Sequence, residues 1–111
     1  MGEKYLVKWS FESIYDVADI ADYIEMTFGQ NRAEQFNDDI DEEIGSLCDM
    51  PSKYPDIGMY YRGFLIRKMV TSPSLVFYAV DETESMIYIL RVLREERDWH
   101  YILNKQNNYK F

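Results

Sequence analysis

The sequence is poor in the residues that hold metals and form disulfides. Among its 111 residues it has one cysteine, Cys48, and one histidine, His100. A lone cysteine cannot form an internal disulfide, and without a Cys/His cluster there is no set of zinc ligands. We therefore expect neither a metal nor an organic cofactor, and a reducing compartment suits such a chain.

Long apolar runs are absent as well. No stretch approaches the roughly 20 apolar residues that a membrane-spanning helix needs. The first residues, Met1 to Lys4, lead directly into a strand-like run, without the basic and apolar segments of a signal peptide. These features predict a cytoplasmic protein with no membrane partner.

Positive charge is scarce in the first half of the chain. Residues 1–56 contain 14 acidic and 4 basic residues, whereas residues 57–111 contain 6 acidic and 8 basic residues. The net charge of −8 argues against a general nucleic-acid binder, but a local basic patch in the second half stays open. The apolar fraction of 47% is enough for a core, and we expect one domain over residues 1–111.

The first half predicts two helices. Ser10 is a good N-cap, and Gly29 stands where a left-handed C-terminal cap belongs. Asn31 is expected to cap the second helix, which the pair Met50-Pro51 ends. Apolar residues recur at spacings of three and four in each helix: Ile14, Val17, Ala18, Ala21, Ile24 and Phe28, then Ala33, Phe36, Ile40, Ile44 and Leu47. Helices joined by one or two residues form a hairpin.

Strand-like segments lie on both sides of this hairpin. They are Tyr5 to Trp9, Met59 to Val70 (broken near Gly63), Leu75 to Val80, and Met86 to Leu93. Short turns between the later segments predict an antiparallel meander. A short helix should run from Glu95 or Glu96 to about Leu103, and the polar residues 104–111 are expected to fray.

The predicted fold class is therefore α+β. It comprises an N-terminal strand, an antiparallel helical hairpin, a three-to-four-stranded antiparallel meander and a short C-terminal helix. The hairpin should cover one face of the sheet, and the other face is expected to be partly open or covered by a partner.

Basic residues interrupt the apolar strands of the second half. Arg67 and Lys68 interrupt one strand, and Arg91 interrupts another. A guanidinium group in an apolar strand costs free energy unless it is paired or faces a solvated groove. Such groups can hold phosphates through paired hydrogen bonds. Because neighbouring strand residues point to opposite faces, Arg67 and Lys68 cannot line one groove, nor can Arg91 and Arg94.

The segment from Ile89 to Trp99 resembles the last strand and exit of toxins of the RelE/ParE family. In that family an apolar strand ends in a Val-Leu pair, here Val92-Leu93, and a basic residue, an Arg-Asp pair and a short helix follow. The pairs Ile66-Arg67 and Arg97-Asp98 are also similar. So are the opening strand and helix, the strand 77–80, and the loop that contains Pro55 and Gly58. The resemblance covers about residues 4–103.

This resemblance implies a toxin of a type II toxin–antitoxin system. RelE-like members cleave messenger RNA on the ribosome by activating the ribose 2′-hydroxyl, without a metal. The positions that match their catalytic residues are Arg67, Arg91, Arg94 and Tyr101, and those that would bind substrate are Lys68, Arg62 and Arg97. Arg94 stands where many relatives have histidine, so it would bind phosphate rather than move a proton.

ParE-like members resemble the sequence equally well, and they are thought to inhibit DNA gyrase without a nuclease site. The acidity of the chain weakens the nuclease interpretation, because ribosomal RNA attracts basic proteins. A third alternative is an inactive member that only binds its antitoxin. In all three cases the implied partner is a cognate antitoxin, and a homodimer or a toxin–antitoxin hetero-oligomer is a further possibility. The target would be the ribosome with its mRNA, or DNA gyrase.

For each of these candidate site residues, the alternative to a catalytic or binding role is a structural one. The arginines would then pair with Glu95, Glu96, Asp98 or acids of the helices, and Tyr101 would pack against the protein. His100 is expected on the surface, Trp99 in the core, and Asp98 as a helix cap or as a partner of Arg97.

Overall fold

The structure is a computed structural model, and it describes residues 4–106 and 108–111. Residues 1–3, on which the signal-peptide expectation partly rests, and residue 107 of the tail lie outside it. The elements are β1 (Leu6–Trp9), α1 (Phe11–Phe28), α2 (Gln30–Leu47), a 3-10 turn (Pro51–Lys53), β2 (Asp56–Tyr61), β3 (Phe64–Thr71), β4 (Ser74–Asp81), β5 (Met86–Arg94) and α3 (Trp99–Lys105).

The helical hairpin is confirmed, with a connection of a single residue. The Ser13 N–H donates to Ser10 Oγ over 2.9 Å, so Ser10 caps α1 as predicted. Gly29 alone joins the helices, with a φ of +98°. The prediction that Asn31 caps α2 is wrong, because α2 already begins at Gln30 and no side chain caps it. Gly29 is the only residue between the helices and is itself the N-cap position of α2. Asn31 therefore already lies inside the first turn.

The meander is also confirmed, and a fifth strand extends it. The sheet has the order β1-β5-β4-β3-β2, in which β2 to β5 are antiparallel neighbours. The first strand, β1, pairs with β5 in parallel, with Leu6 opposite Met86 and Trp9 opposite Ile89. The connection that such a parallel pairing requires consists of the helical hairpin, which leads to the far edge of the sheet, and the strands β2 to β4 that lead back to β5. The first strand therefore depends on the last one for its place in the sheet.

Both faces of the sheet are covered in part. On one face, α1 and α2 pack on a core that includes Met69, Val76 and Tyr78. On the other face, α3 and the C-terminal tail pack on a second core that includes Phe77, Leu90 and Leu93. Strand alternation separates the two cores, because successive side chains of β4 point to opposite faces.

The inward face of α1 differs from the predicted apolar stripe. Ile14 and Phe28, which were assigned to that stripe, are 50% and 56% exposed. The residues of α1 that are buried are Ser13, Ile20 and Ile24. The error arises because α1 has apolar residues around most of its circumference, so the spacing alone fits more than one stripe.

The prediction of a frayed tail is wrong for residues 104–106 and 108–111. Tyr109 is 6% exposed, and its ring makes an edge contact with Tyr61 at 5.4 Å. The Phe11 N–H donates to the Lys110 carbonyl over 2.6 Å, and the Lys110 N–H donates to Glu12 Oε1. The aromatic residues Tyr109 and Phe111 at the end of this polar segment thus anchor it on Tyr61, although its average composition suggests a free end.

The C-terminal helix begins later than predicted, at Trp99. Asp98 is its N-cap, since its carboxylate accepts a hydrogen bond from the Tyr101 N–H over 3.3 Å. Within the described part of the chain, no helix combines the length and the apolar character that crossing a membrane would require.

Two buried tyrosines make the fold sensitive to high pH. Burial raises the pKa of Tyr78 and of Tyr109 to about 12, from an ordinary value of 10.0. The folded state thus keeps two protons that the unfolded chain loses above pH 10, so stability is intact below pH 10 and falls between pH 10 and 12. Each tyrosine should contribute a slope of about 1.4 kcal/mol per pH unit in urea unfolding.

Tyr109→Phe provides the matched test. The Tyr109 hydroxyl is buried and has no hydrogen-bond partner among the described residues, whereas that of Tyr78 donates to the Pro51 carbonyl over 2.7 Å. Tyr109→Phe should therefore reduce the alkaline slope by about 1.4 kcal/mol per pH unit and raise the free energy of unfolding at neutral pH by about 1 kcal/mol. Tyr78→Phe should reduce the alkaline slope by the same amount but lower the free energy of unfolding at neutral pH, because its hydrogen bond to Pro51 is lost. Equal neutral effects of the two variants would contradict this account.

Candidate functional site

The second half of β5 has no neighbouring strand on one side. The first strand ends at Trp9, opposite Ile89, so the backbone of β5 beyond that point needs other partners. Ser10 supplies two of these contacts. Its N–H donates to the Ile89 carbonyl over 2.9 Å, and its hydroxyl donates to the Leu90 carbonyl over 2.7 Å.

A bulge follows at Leu90. Phe77 of β4 pairs with Arg91, whereas Tyr78 pairs with Ile89, so β5 carries one extra residue at this point. The bulge changes the alternation of the strand, and it places Arg91 beside the start of α1, where the strand edge is open.

Asp16 of α1 binds both the bulge and the edge. Its Oδ2 accepts from the Val92 N–H over 3.0 Å and from Arg91 Nε over 2.7 Å, and its Oδ1 accepts from Arg91 Nη2 over 2.8 Å. Arg91 Nη1 donates to Gln106 Oε1 over 2.8 Å. The hydrogen bond that Arg91 donates to the Asp16 carboxylate raises the pKa of Arg91 above its ordinary value. The side chains of Arg91 and Asp16 are 17% and 12% exposed, so this is a largely buried, two-pronged ion pair.

Arg67 has a different environment. Its Nη1 donates to the backbone carbonyl of Tyr54 over 2.6 Å, in the loop before β2. It pairs across the strands with Tyr78, whose ring belongs to the core beneath the hairpin. The positive charge of Arg67 lowers the pKa of Tyr78, but burial outweighs it and the net shift is upward. Arg67 thus lies on the hairpin side of the sheet and holds a loop.

Arg94 and Arg97 line one groove between α1 and the end of β5. The groove has a volume of about 210 Å³, and Asp19 and Tyr23 line its opposite wall. The guanidinium carbon of Arg94 lies 4.2 Å from the centre of the Tyr23 ring, and its Nε lies 2.9 Å from Glu96 Oε1. Arg94 is thus stacked and paired, while Arg97 is exposed.

Lys68 and the C-terminal helix lie on the opposite face of the sheet. Lys68 Nζ is 5.0 Å from the centre of the Trp99 ring, which also packs on Phe77. Trp99 is half-buried rather than a full core residue, and His100 stacks on it at the surface. Tyr101 is 61% exposed, with Lys105 near its ring.

The residues that the resemblance implies as catalytic or substrate-binding therefore lie on several surfaces. Arg94 and Arg97 share a groove, and Lys68 and Arg91 share a cross-strand row through Phe77. Other members lie apart from these groups: Arg67 on the hairpin side, Arg62 in the turn between β2 and β3, and Tyr101 on α3. Among residues 4–106 and 108–111, no group of His, Cys, Asp or Glu side chains is placed to hold a metal.

A protein-family model matches most of this chain. The model of the ParE toxin of the type II toxin–antitoxin system parDE matches residues 7–99. The chain belongs to the ParE toxin family. The resemblance to RelE/ParE toxins is thereby confirmed, and with it the assignment of the chain as the toxin of a type II toxin–antitoxin system. No curated protein sequence matches this ParE-family chain.

Solved structures share the fold of this ParE-family toxin. The chromosomal ParDE toxin–antitoxin system of P. aeruginosa has a chain that matches with a TM-score of 0.69 and 22% identity, over 86% of this chain and 100% of that one. The toxin–antitoxin complex RelBE2 of Mycobacterium tuberculosis matches with a TM-score of 0.58 and 14% identity, over 83% and 99%. An arginine mutant of E. coli RelE in the free state matches with a TM-score of 0.56 and 14% identity, over 89% and 92%.

The structural alternative of an arginine paired with an acid of the helices is what Arg91 shows, but the sequence did not identify Asp16 as that acid. The signal was present in the helical period. Asp16 lies three residues after Ser13 and four residues before Ile20, both of which are buried, so it borders the inward face. Gln106 was missed because it follows the last helix, in a segment expected to fray.

Asp16→Ala should destabilise the toxin strongly. The change leaves the Arg91 guanidinium without its carboxylate partner and the Val92 N–H without its acceptor, which together should cost about 3 kcal/mol of unfolding free energy. Urea unfolding measures the total, and hydrogen exchange of the Val92 amide reports the edge contact directly.

Asp22→Ala is the matched control, since Asp22 is an exposed acid on the same helix. It should change the unfolding free energy by less than about 0.5 kcal/mol. Similar losses for both variants would show that the effect comes from helix charge and not from the contacts of Asp16.

Proposed function

We propose that this ParE-family toxin arrests growth by binding a target protein, without cleaving RNA, and that the target is DNA gyrase. The observation that carries the proposal is the state of Arg91. The resemblance to RelE-like nucleases implies that this guanidinium stabilises a transition state, but here Asp16 and Gln106 occupy its donors.

Metal-free cleavage at a 2′-hydroxyl has defined requirements. It needs a proton acceptor, a proton donor for the leaving oxygen, and positive charge at the phosphate, all within reach of one scissile bond. Arg67 is bound to the Tyr54 carbonyl on the hairpin side, whereas Tyr101 lies on α3 at the opposite face. Arg94 supplies no proton at neutral pH, because a guanidinium stays charged.

The charge distribution also supports a protein target. Residues 11–47, which form the two long helices, contain 11 acids and a single base, Arg32. The negative charge of this surface repels the phosphate backbone of ribosomal RNA at long range, before the protein makes contact with the ribosome. Association with a protein makes no such demand for positive charge.

Ribosome-dependent cleavage of mRNA is the second candidate, and one observation favours it. Lys68 and Arg91 both pair with Phe77, so their Cα atoms lie in one row across three strands, about 10 Å apart. Tyr101 lies on the helix that covers this same face. A substrate phosphate between Lys68 and Arg91 would require the contacts of Arg91 to Asp16 and Gln106 to open.

Induction of the toxin without antitoxin separates these functions. We expect growth arrest with a DNA-damage response, intact message 5′ ends, and loss of supercoiling when purified toxin is added to gyrase. The variant Lys68→Ala/Tyr101→Ala should arrest growth as the parent chain does, because neither side chain is needed for a non-catalytic mechanism.

Two outcomes would contradict the proposal. New 5′ ends on messages, together with loss of arrest in Lys68→Ala/Tyr101→Ala, would establish the nuclease instead. Absence of arrest from well-folded, expressed chain would identify an inactive member that only binds its antitoxin. Circular dichroism of the purified variant is the control for folding.

A further inference from the structure

A cleft lies between the helical hairpin, near its single-residue connection, and the turn that joins β3 to β4. This hairpin cleft has a volume of about 500 Å³, and residues of α1, of α2, of the β3–β4 turn and of the segment after β5 line it. It adjoins the groove of Arg94 and Arg97, with which it shares Tyr23 and Arg94. Its volume is typical of cavities that hold a small molecule.

The lining of the hairpin cleft combines a buried apolar floor with exposed aromatic rings. Ile24 and Phe36 are each 5% exposed and belong to the core beneath the hairpin. Tyr23 and Phe28, both on α1, are about half exposed. Such a lining favours a ligand with an aromatic body, because binding would remove apolar surface of both partners from water.

Each exposed ring of the cleft carries a guanidinium group. The guanidinium carbon of Arg32 lies 5.1 Å from the centre of the Phe28 ring, and that of Arg94 lies 4.2 Å from the centre of the Tyr23 ring. A stacked guanidinium keeps its N–H donors at its periphery, where they can bind an anion. Arg94 is already paired with Glu96, whereas Arg32 has no ion pair with any acid that the structure describes. Arg32 is therefore the available positive group of the cleft.

The two carboxylates that line the cleft are also engaged. Glu96 Oε1 lies 2.9 Å from Arg94 Nε, and Asp39 Oδ1 accepts a hydrogen bond from Gln35 Nε2 over 2.8 Å. The charges of these two acids balance those of Arg94 and Arg32. A cleft with balanced charge and one available cation suits a ligand with a single negative charge.

We propose that the hairpin cleft is a binding site for a small aromatic monocarboxylate. The ring of this ligand would lie on Ile24 and Phe36, beside the exposed rings of Phe28 and Tyr23, and its carboxylate would accept paired hydrogen bonds from Arg32. The site is separate from Arg91 and its partners. The proposal goes beyond the proposed function and does not depend on the target of the toxin.

Charge separates this ligand from other anions. A phosphate monoester carries close to two negative charges at neutral pH, and a nucleic-acid strand carries one at every nucleotide. The additional charges would meet Asp39 and Glu96 in the cleft and the 11 acids of the two long helices around it. A second copy of this chain is disfavoured as well, because each copy has a net charge of −8.

Titration calorimetry of the purified full-length toxin tests the proposal, with indole-3-acetate as the probe. Indole and acetate are its matched controls, since the first lacks the carboxylate and the second lacks the ring. We expect a dissociation constant on the order of 100 µM for indole-3-acetate, as befits a ligand of this size. Each control compound should bind at least about tenfold more weakly, because it makes only one of the two kinds of contact.

Variants of exposed residues keep the fold while they change the cleft. Arg32→Gln should weaken binding of the probe about tenfold, because it removes the charged donor. Gln35→Trp should abolish binding, because the larger side chain fills the cleft. Arg62→Gln is the matched control, since Arg62 also stacks on an aromatic ring, that of Tyr61 at 5.3 Å, but lies outside the cleft. It should bind the probe as the parent chain does, and urea unfolding of all three variants checks their folding.

Amide chemical shifts locate the bound probe. Signals of Phe28, Arg32 and Ser72 should shift on addition of indole-3-acetate, whereas those of Lys68 and Trp99, on the opposite face of the sheet, should not. Shifts centred elsewhere, or equal affinities of the parent chain, Arg32→Gln and Gln35→Trp, would overturn the proposal. So would a short peptide ending in tryptophan that displaces the probe and binds far more tightly, because the cleft would then accept a protein segment. None of these results bears on growth arrest or on gyrase.

Discussion

The fold depends on one carboxylate that replaces a strand. The edge strand β1 stops at Trp9, half-way along β5, and Asp16 accepts the Val92 N–H that the edge leaves open. The same carboxylate binds the guanidinium of Arg91, which in turn binds Gln106 beyond the last helix. The Asp16 side chain thus joins the helical hairpin to the sheet and, through Arg91, to the C-terminal segment. The charges of Asp16 and Arg91 neutralise each other where little water reaches them.

This arrangement gives the basic residues of the sheet different tasks. Arg91 is committed to Asp16, Arg67 holds the loop at Tyr54, and Arg94 stacks on Tyr23. Guanidinium groups suit such tasks because they are planar, permanently charged and able to donate in several directions. Neighbouring groups in the folded protein therefore explain why these three arginines are present. A toxin that acts by binding its target does not need them as catalytic groups.

Sequence reasoning predicted the elements whose signals are local. The cap at Ser10 and the break between β2 and β3 at Gly63 depend on residue type, and the structure has both. It failed where the partner is distant in sequence. The tail is anchored by Tyr61, some 48 residues away from Tyr109, and Asp16 binds a residue 75 positions away. The family resemblance located the arginines, but not their partners.

The parallel pairing of β1 with β5 also constrains how the chain is made. The first strand, β1, has no neighbouring strand until residues 86–89 have been made, so this sheet edge closes only after β5 exists. Long-range pairings of this kind delay folding until the intervening chain is available. Closure of this sheet edge, and with it any activity that needs the folded toxin, must therefore wait until β5 has been made.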